Sequence, residues 1–407
     1  MVTVILGLWA LFVFTHIASY STSLSCIKSR IKFLILPGPA RFLLIMKKKF
    51  LYALLICAAI GLRIGFFDYE TLDYQNFLKV WVEYFRANGG FLALKDSIGN
   101  YNIPYLYFLA LFSYIPVKDL YLIKILSCIF DFVLAYAAYK LSGKKAAFFI
   151  VLFLPTVVMN SALWAQCDSI YVSLALLSIC YGLDGKGSKS MIFMALSFGF
   201  KLQAVFLMPC LIIIWIYKKL DWKYFLLFPI TYAAIILPAI LLGHPVKSAF
   251  TLYLDQMNTV GSAPNYNSAS LTAICNIESH ILIALAFAVM VLLLVLPKRN
   301  REGVLILCAL MVTVIPFFLP HMHDRYFYAA DIMSVIVACT VTFCIPAAVS
   351  AQVASMICYV AYLTTRYFPL GSYWITNKTA AWLEIICIIF FAIYFLNSYL
   401  TREDNLV

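Results

Sequence analysis

Runs of Leu, Ile, Phe, Val and Ala fill most of this chain and are interrupted at intervals by short clusters of charged and polar residues. Nearly every run reaches the roughly 20 residues that a helix needs to cross a bilayer. Inside lipid a backbone has to satisfy its own N–H and C=O groups, which a helix does within one segment. The pattern therefore predicts an all-α polytopic membrane protein. Composition agrees: of 407 residues, 64% are apolar and 12% charged, at a mean hydropathy of +0.95. A water-soluble globule, a disordered chain, a collagen and a coiled coil are excluded.

The net charge of +12 would suggest nucleic acid in a soluble protein. Here Lys and Arg stand in small clusters between apolar runs, as membrane orientation requires, so no nucleic-acid partner is expected. Of the twelve cysteines, Cys57, Cys128, Cys180, Cys210, Cys308 and Cys339 lie inside apolar runs, where a thiol acts as a small hydrophobe. No CxxC pair occurs, so neither a zinc site nor a disulfide framework is expected.

Basic clusters resist translocation. Placing 47–49, 140–145, 186–189, 218–223 and 298–301 on the inner side, with 401–404 after the last span, leaves six outward stretches: 68–119, 164–168, the surroundings of Lys201, 244–270, 320–328 and 366–379. Residues 1–45 read as an N-terminal extension with one extra helix, and 46–407 as the main transmembrane domain. Two places strain this scheme. Residues 105–115 are apolar but too short to span, and predict a helix lying at the outer interface or re-entering. Residues 191–217 have to cross twice, which requires short helices broken near Lys201. In total about 11–13 transmembrane helices are expected.

The outward stretches hold most of the polar chemistry. In 68–119, Tyr74, Phe77, Trp81, Tyr84 and Phe85 recur at roughly helical spacing between charges, the mark of an amphipathic segment on a membrane surface. Asp68, Glu70 and Asp73 follow the end of a span, where a carboxylate can act as a base. Asn160, Trp164, Gln166 and Asp168 combine amides, an indole and a carboxylate, groups suited to sugar hydroxyls and to stacking on a sugar ring. Lys201, beside Gln203, interrupts an apolar run and needs either snorkelling or an anion such as phosphate. His321, His323 and Arg325, followed by Tyr326, offer imidazole donors and a bidentate fork for the same phosphate. As a metal site the two histidines lack a third ligand at a characteristic spacing. Asp131, in mid-span, calls for a partner inside the bundle, as does Glu384. Asn258, Asn265, Tyr266 and Asn267 form a polar patch that reads either as an acceptor groove or as a turn.

Taken together, four motifs in order resemble bacterial GT-C glycosyltransferases related to the GPI mannosyltransferase II family. They are Asp73, Tyr74, Trp81, Gly89, Gly90, Asn100, Tyr101, Asn102, Pro104 and Tyr105; then Asn160, Trp164, Gln166, Asp168 and Ser169; then Phe200, Lys201, Gln203 and Ala204; then His321, His323, Arg325, Tyr326 and Phe327. The similarity covers roughly residues 46–400 and departs at Ile103, where relatives often carry a second proline.

The resemblance implies a GT-C-like bundle with a long first outer loop, and an inverting transfer of a hexose, mannose above all, from a polyprenyl-phosphate carrier to an acceptor hydroxyl. The acceptor would be a glycan, lipid or protein. Asp73 matches the general base. Lys201, Arg325, His321 and His323 would hold the donor phosphate. Trp164, Gln166, Asp168, Asn100, Tyr101, Tyr105, Gln203 and Tyr326 would line the sugar and acceptor sites. No cofactor is called for, and a divalent metal is compatible but not required. The bacterial likeness implies the cytoplasmic membrane, with the site facing outward. Two rivals share the polytopic pattern: a secondary transporter, whose sites should lie near the midplane in repeated halves, and a membrane acyltransferase using His321 or His323 as base.

Overall fold

The computed structural model describes residues 38–258, 261, 263–296, 300–367 and 376–400. Most of the expected N-terminal extension and of the 366–379 stretch lies outside the described residues. Apart from two dipeptide strands, helices dominate. They are α1 (Gly38–Ile64), α2 (Lys79–Ala87), α3 (Ile103–Phe112), α4 (Asp119–Ser142), α5 (Lys145–Phe153), α6 (Pro155–Val158), α7 (Asp168–Leu183) and α8 (Gly187–Phe200). There follow α9 (Met208–Ile216), α10 (Leu227–Leu241), α11 (Val246–Asn258), α12 (Ser279–Val295), α13 (Arg301–Phe318), α14 (Tyr328–Thr340), α15 (Ile345–Tyr367) and α16 (Asn377–Leu400).

The chain is thus an all-α protein with several helices long and apolar enough to cross a membrane. Among the described residues five qualify by length and composition, or six if α5 and its bent continuation Pro155–Leu163 form one span. This is fewer than the about 11–13 expected from apolar runs alone. Five further apolar helices are only 10–17 residues long, because the runs are broken by turns that hydropathy does not register. Both strained places hold short helices. Helix α3 is a ten-residue helix, mostly buried, and the chain breaks at Lys201, whose backbone is extended between α8 and a 3₁₀ turn, Leu202–Phe206.

Helix α7 is buried almost all round, as a central helix must be. It packs on α4 and α8, and α4 in turn on α5 and α14. Asp168 opens α7 and Asp184 closes it, about 24 Å apart at 1.5 Å per residue. The Asp184 end pairs with Arg301 at 3.1 Å, joining stretches assigned to one side. The Asp168 end gathers the stretches assigned to the other.

Pro155 sets up that second end. The residue before a proline is driven out of the helical region, and Leu154 is extended. The axis turns by 54°, and a π-helical turn, Met159–Leu163, leads to Trp164. Ala165 then takes a left-handed φ of 63°, a conformation that costs a non-glycine residue of order 1 kcal/mol or more and is held only by strong surroundings.

Below the site the bundle is braced by charge. Arg63, at the end of α1, donates from Nε to Asp131 Oδ2 of α4 at 2.8 Å, and from Nη1 to the carbonyls of Ala59 and Leu152 at 3.0 and 3.1 Å. Ser161, in the π turn, donates to the same Asp131 oxygen at 2.5 Å. Asp131 therefore has the interior partner its position demanded. Glu384 is buried in α16 with neither carboxylate oxygen hydrogen-bonded.

Candidate functional site

Of the three acids that follow α1, two are occupied elsewhere. Asp68 accepts a hydrogen bond from Tyr121. Glu70 pairs with Lys118 at 2.7 Å, and the hydrogen bonds from Lys118 and Gln75 hold its carboxyl below the usual range. Only Asp73 turns to the second motif. Its Oδ2 accepts from Trp164 Nε1 (2.9 Å) and Gln166 Nε2 (3.0 Å), and its Oδ1 accepts from the Tyr362 hydroxyl (2.8 Å).

The local backbone explains this aim. Thr71 Oγ1 donates to the Trp164 carbonyl at 3.2 Å and accepts from the Tyr74 N–H at 3.3 Å, tying the two motifs together two residues before the acid. Beyond it, Tyr74, Leu78, Trp81, Val82 and Phe85 form a buried stripe at helical spacing, while Phe77 and Tyr84 are exposed. The aromatic series anticipated on the loop is therefore split between core and surface. Gly99 makes room for the Trp81 ring: its φ is +66° and a Cβ there would collide with the indole.

Arg325 stands at the centre. Its guanidinium lies 3.9 Å from Asp73 Oδ2, 3.7 Å from Asp168 Oδ2 and 3.5 Å from Asp324 Oδ1. It donates to Gln166 Oε1 and rests over the Trp164 ring at 4.9 Å. Burial works against its charge, but Asp168, Asp324 and Asp73 outweigh burial and raise its affinity for the proton further. Lys201 pairs with Asp168 Oδ1, and Asn160 Nδ2 holds Asp168 Oδ2 at 2.7 Å. One buried carboxylate thus bridges the two cations expected to converge. Asp73 keeps 18% of its side-chain surface, against 2% for Asp168, so Asp73 is the acid a ligand can reach.

Burial pushes the Asp324 carboxyl up to about 7; Arg325 opposes this, while Asp73 and Asp168 add to it. The folded protein holds this proton more tightly than the unfolded chain, whose carboxyl titrates near ~4. The stabilisation is complete below about pH 4 and is lost as pH rises through about 7. The melting temperature of the wild type in detergent is therefore expected to fall, relative to Asp324→Asn, across that interval. Parallel melting curves would contradict the assignment.

The other anticipated residues divide. Tyr101 donates to Gln166 Oε1 at 3.2 Å, and its ring packs on Tyr105 at 4.7 Å, so both wall the cluster. Gln203 is buried beside Tyr326, and its Oε1 has no hydrogen-bond partner. Asn100 is exposed and meets Gln256 through its backbone carbonyl, outside the cluster. Trp164 is fully buried and stacked on Tyr362 at 4.3 Å. With its N–H on Asp73 and Arg325 over its ring, the indole orients the acid and presents no open face for a sugar.

The histidines are engaged in a different task. The His321 N–H donates to Pro264 O and its Nδ1 meets Ala263 O, both at 2.8 Å. The His323 ring stacks on Tyr266 at 4.6 Å. Strand β1 (Asn265–Tyr266) pairs in parallel with β2 (Met322–His323), and Asn265 Nδ2 bonds Ser268, Ser270 and Thr272. These contacts pin one loop to another. The side chain of Asn258 lies outside the described residues.

Sequence reasoning passed over Tyr362, whose only signal was a hydroxyl inside an apolar run, a group that needs a partner when buried. Among the described residues no group of three or more His, Cys, Asp or Glu is arranged to hold a metal ion. No family model matches this chain, and no curated protein sequence matches it.

Proposed function

We propose that the protein is a membrane-embedded inverting glycosyltransferase of GT-C-like architecture, which moves a hexose, mannose above all, from a polyprenyl-phosphate carrier to an acceptor hydroxyl at the outer face of a bacterial cytoplasmic membrane. One observation carries the reading: Asp73, Asp168, Lys201 and Arg325, drawn from four separated stretches of chain, meet in one hydrogen-bonded cluster.

An ionised carboxylate offers about four acceptor positions. Three on Asp73 are taken by Trp164, Gln166 and Tyr362, which leaves one on Oδ1 for the acceptor hydroxyl. Asp73 takes that proton as the hydroxyl oxygen bonds to the anomeric carbon. The bond from that carbon to the phosphate oxygen breaks, its electron pair leaves with the phosphate, and the configuration inverts. Arg325 and Lys201 stabilise the charge that grows there. Arg325 Nε, Gln203 Oε1 and Asn160 Oδ1 are buried without hydrogen-bond partners, and a phosphorylated, hydroxyl-rich ligand supplies partners for all three.

The test is transfer of radiolabelled sugar from polyprenyl-phosphate donors by the purified protein in liposomes. Absence of transfer from any donor would retire the proposal. Arg325→Gln and Lys201→Gln should each lower kcat/KM for the donor by about 10–100-fold, the value of one or two charge-assisted hydrogen bonds. Unchanged donor kinetics in both would remove the phosphate clamp.

A secondary transporter is the second reading. It is favoured by Asp331 and Glu384, carboxylates buried inside α14 and α16. Uptake of solute into sealed vesicles, undiminished in Asp73→Asn, would select it.

A further inference from the structure

The segment leading to Asp73 is held by a lysine of α4. Lys124 is fully buried, and its ammonium donates to the carbonyls of Phe66 (2.7 Å), Phe67 (3.1 Å) and Tyr69 (2.6 Å). Those carbonyls belong to the turns that follow α1 and to Tyr69 just beyond them, where carbonyls run short of backbone N–H partners. An ammonium has three N–H groups, and here all three are used. A lysine at such depth is costly unless a task requires it.

Two neighbours grip the same stretch: Lys118, just before α4, pairs with Glu70, and Tyr121 in its first turn bonds Asp68. The Lys118–Glu70 pair is partly exposed, with 41% and 33% of the side chains accessible, and such pairs contribute little. Lys124 is therefore the anchor of the set. Its last contact, Tyr69, precedes Thr71, which is tied to the Trp164 carbonyl, and Asp73 follows.

We propose that Lys124 is a positioning residue for Asp73: by clamping the carbonyls of residues 66, 67 and 69 it sets where the carboxylate stands relative to Gln166 and Arg325. The inference rests on the reading of Asp73 as the base. A displacement of about 1 Å can cost on the order of 100-fold in rate, so this clamp governs turnover without touching the donor.

The test compares wild type, Lys124→Met and Lys124→Gln by hydrogen exchange, melting temperature and transfer kinetics. Met matches the length and suits the apolar surroundings but donates nothing; Gln keeps two donors. In Lys124→Met, amide exchange over residues 66–75 should accelerate by about tenfold or more while α7 and α13 are unchanged. Turnover should fall by about 10–100-fold, with the donor KM within about threefold. Lys124→Gln should recover part of both, a graded rescue that a purely structural role would not produce in kcat alone. If Lys124→Met does not fold, Lys124→Gln against wild type carries the comparison. Unchanged exchange over 66–75, or faster exchange with unchanged kcat, overturns the proposal. A wild type that transfers no sugar defeats the reading of Asp73 and the catalytic meaning of the clamp with it, whereas the exchange result judges the clamp itself.

Discussion

Asp73→Asn is expected to reduce sugar transfer by about 10²–10⁴-fold, the usual contribution of a positioned general base, with little change in folding. The amide is nearly isosteric. Its oxygen can still accept from Trp164 and Gln166, and its NH₂ can donate to the Tyr362 hydroxyl, which is able to reverse its role. What disappears is the capacity to take a proton from the acceptor. The substitution also removes one of the three carboxylates beside Arg325, so donor affinity should hold or improve while turnover collapses. Separate measurement of donor binding and single-turnover transfer in liposomes distinguishes these effects. Transfer within about tenfold of wild type would mean that Asp73 is not the base.

The second large effect concerns stability. Arg63 and Asp131 are 2% and 0% exposed, and breaking a buried pair by removing one partner costs about 3–5 kcal/mol because the other charge is stranded. Arg63→Met should show this loss, as should Asp131→Leu, which also releases Ser161. The double substitution should be much milder than the sum of the two, since a hydrophobic pair of similar volume is often neutral or better. Denaturation of all four proteins in detergent gives the comparison. Additive losses would show that the two groups act independently.

The sequence supported the helical membrane class and the break at Lys201. Periodicity and the cost of charge in lipid act locally, and local rules are readable from a string of residues. It did not indicate that Asp168 bridges Lys201 and Arg325, because a motif gives residue types without saying which lone pair meets which cation. Nor did it indicate that the loop carrying Tyr266 and Ala263 packs against His323 and His321. Trp164 suggested sugar stacking until Tyr362, 198 positions later in the numbering, covered it. Among the described residues, long apolar runs likewise implied more crossings than there are unbroken helices of 18 residues or more, because prolines and left-handed residues such as Ala165 interrupt the runs.

The sharing of Asp168 between Lys201 and Arg325 has a further consequence for selectivity. Both cations already carry resident counterions, so a free inorganic anion gains little by arriving, and ambient salt has little unshielded charge to screen. Under the proposed function, capture of a carrier lipid would be an exchange of partners, favoured only when the incoming molecule brings enough hydroxyls and hydrocarbon to repay the displaced carboxylate. Such a centre would ignore orthophosphate in the surrounding medium and still respond to a glycosylated isoprenoid.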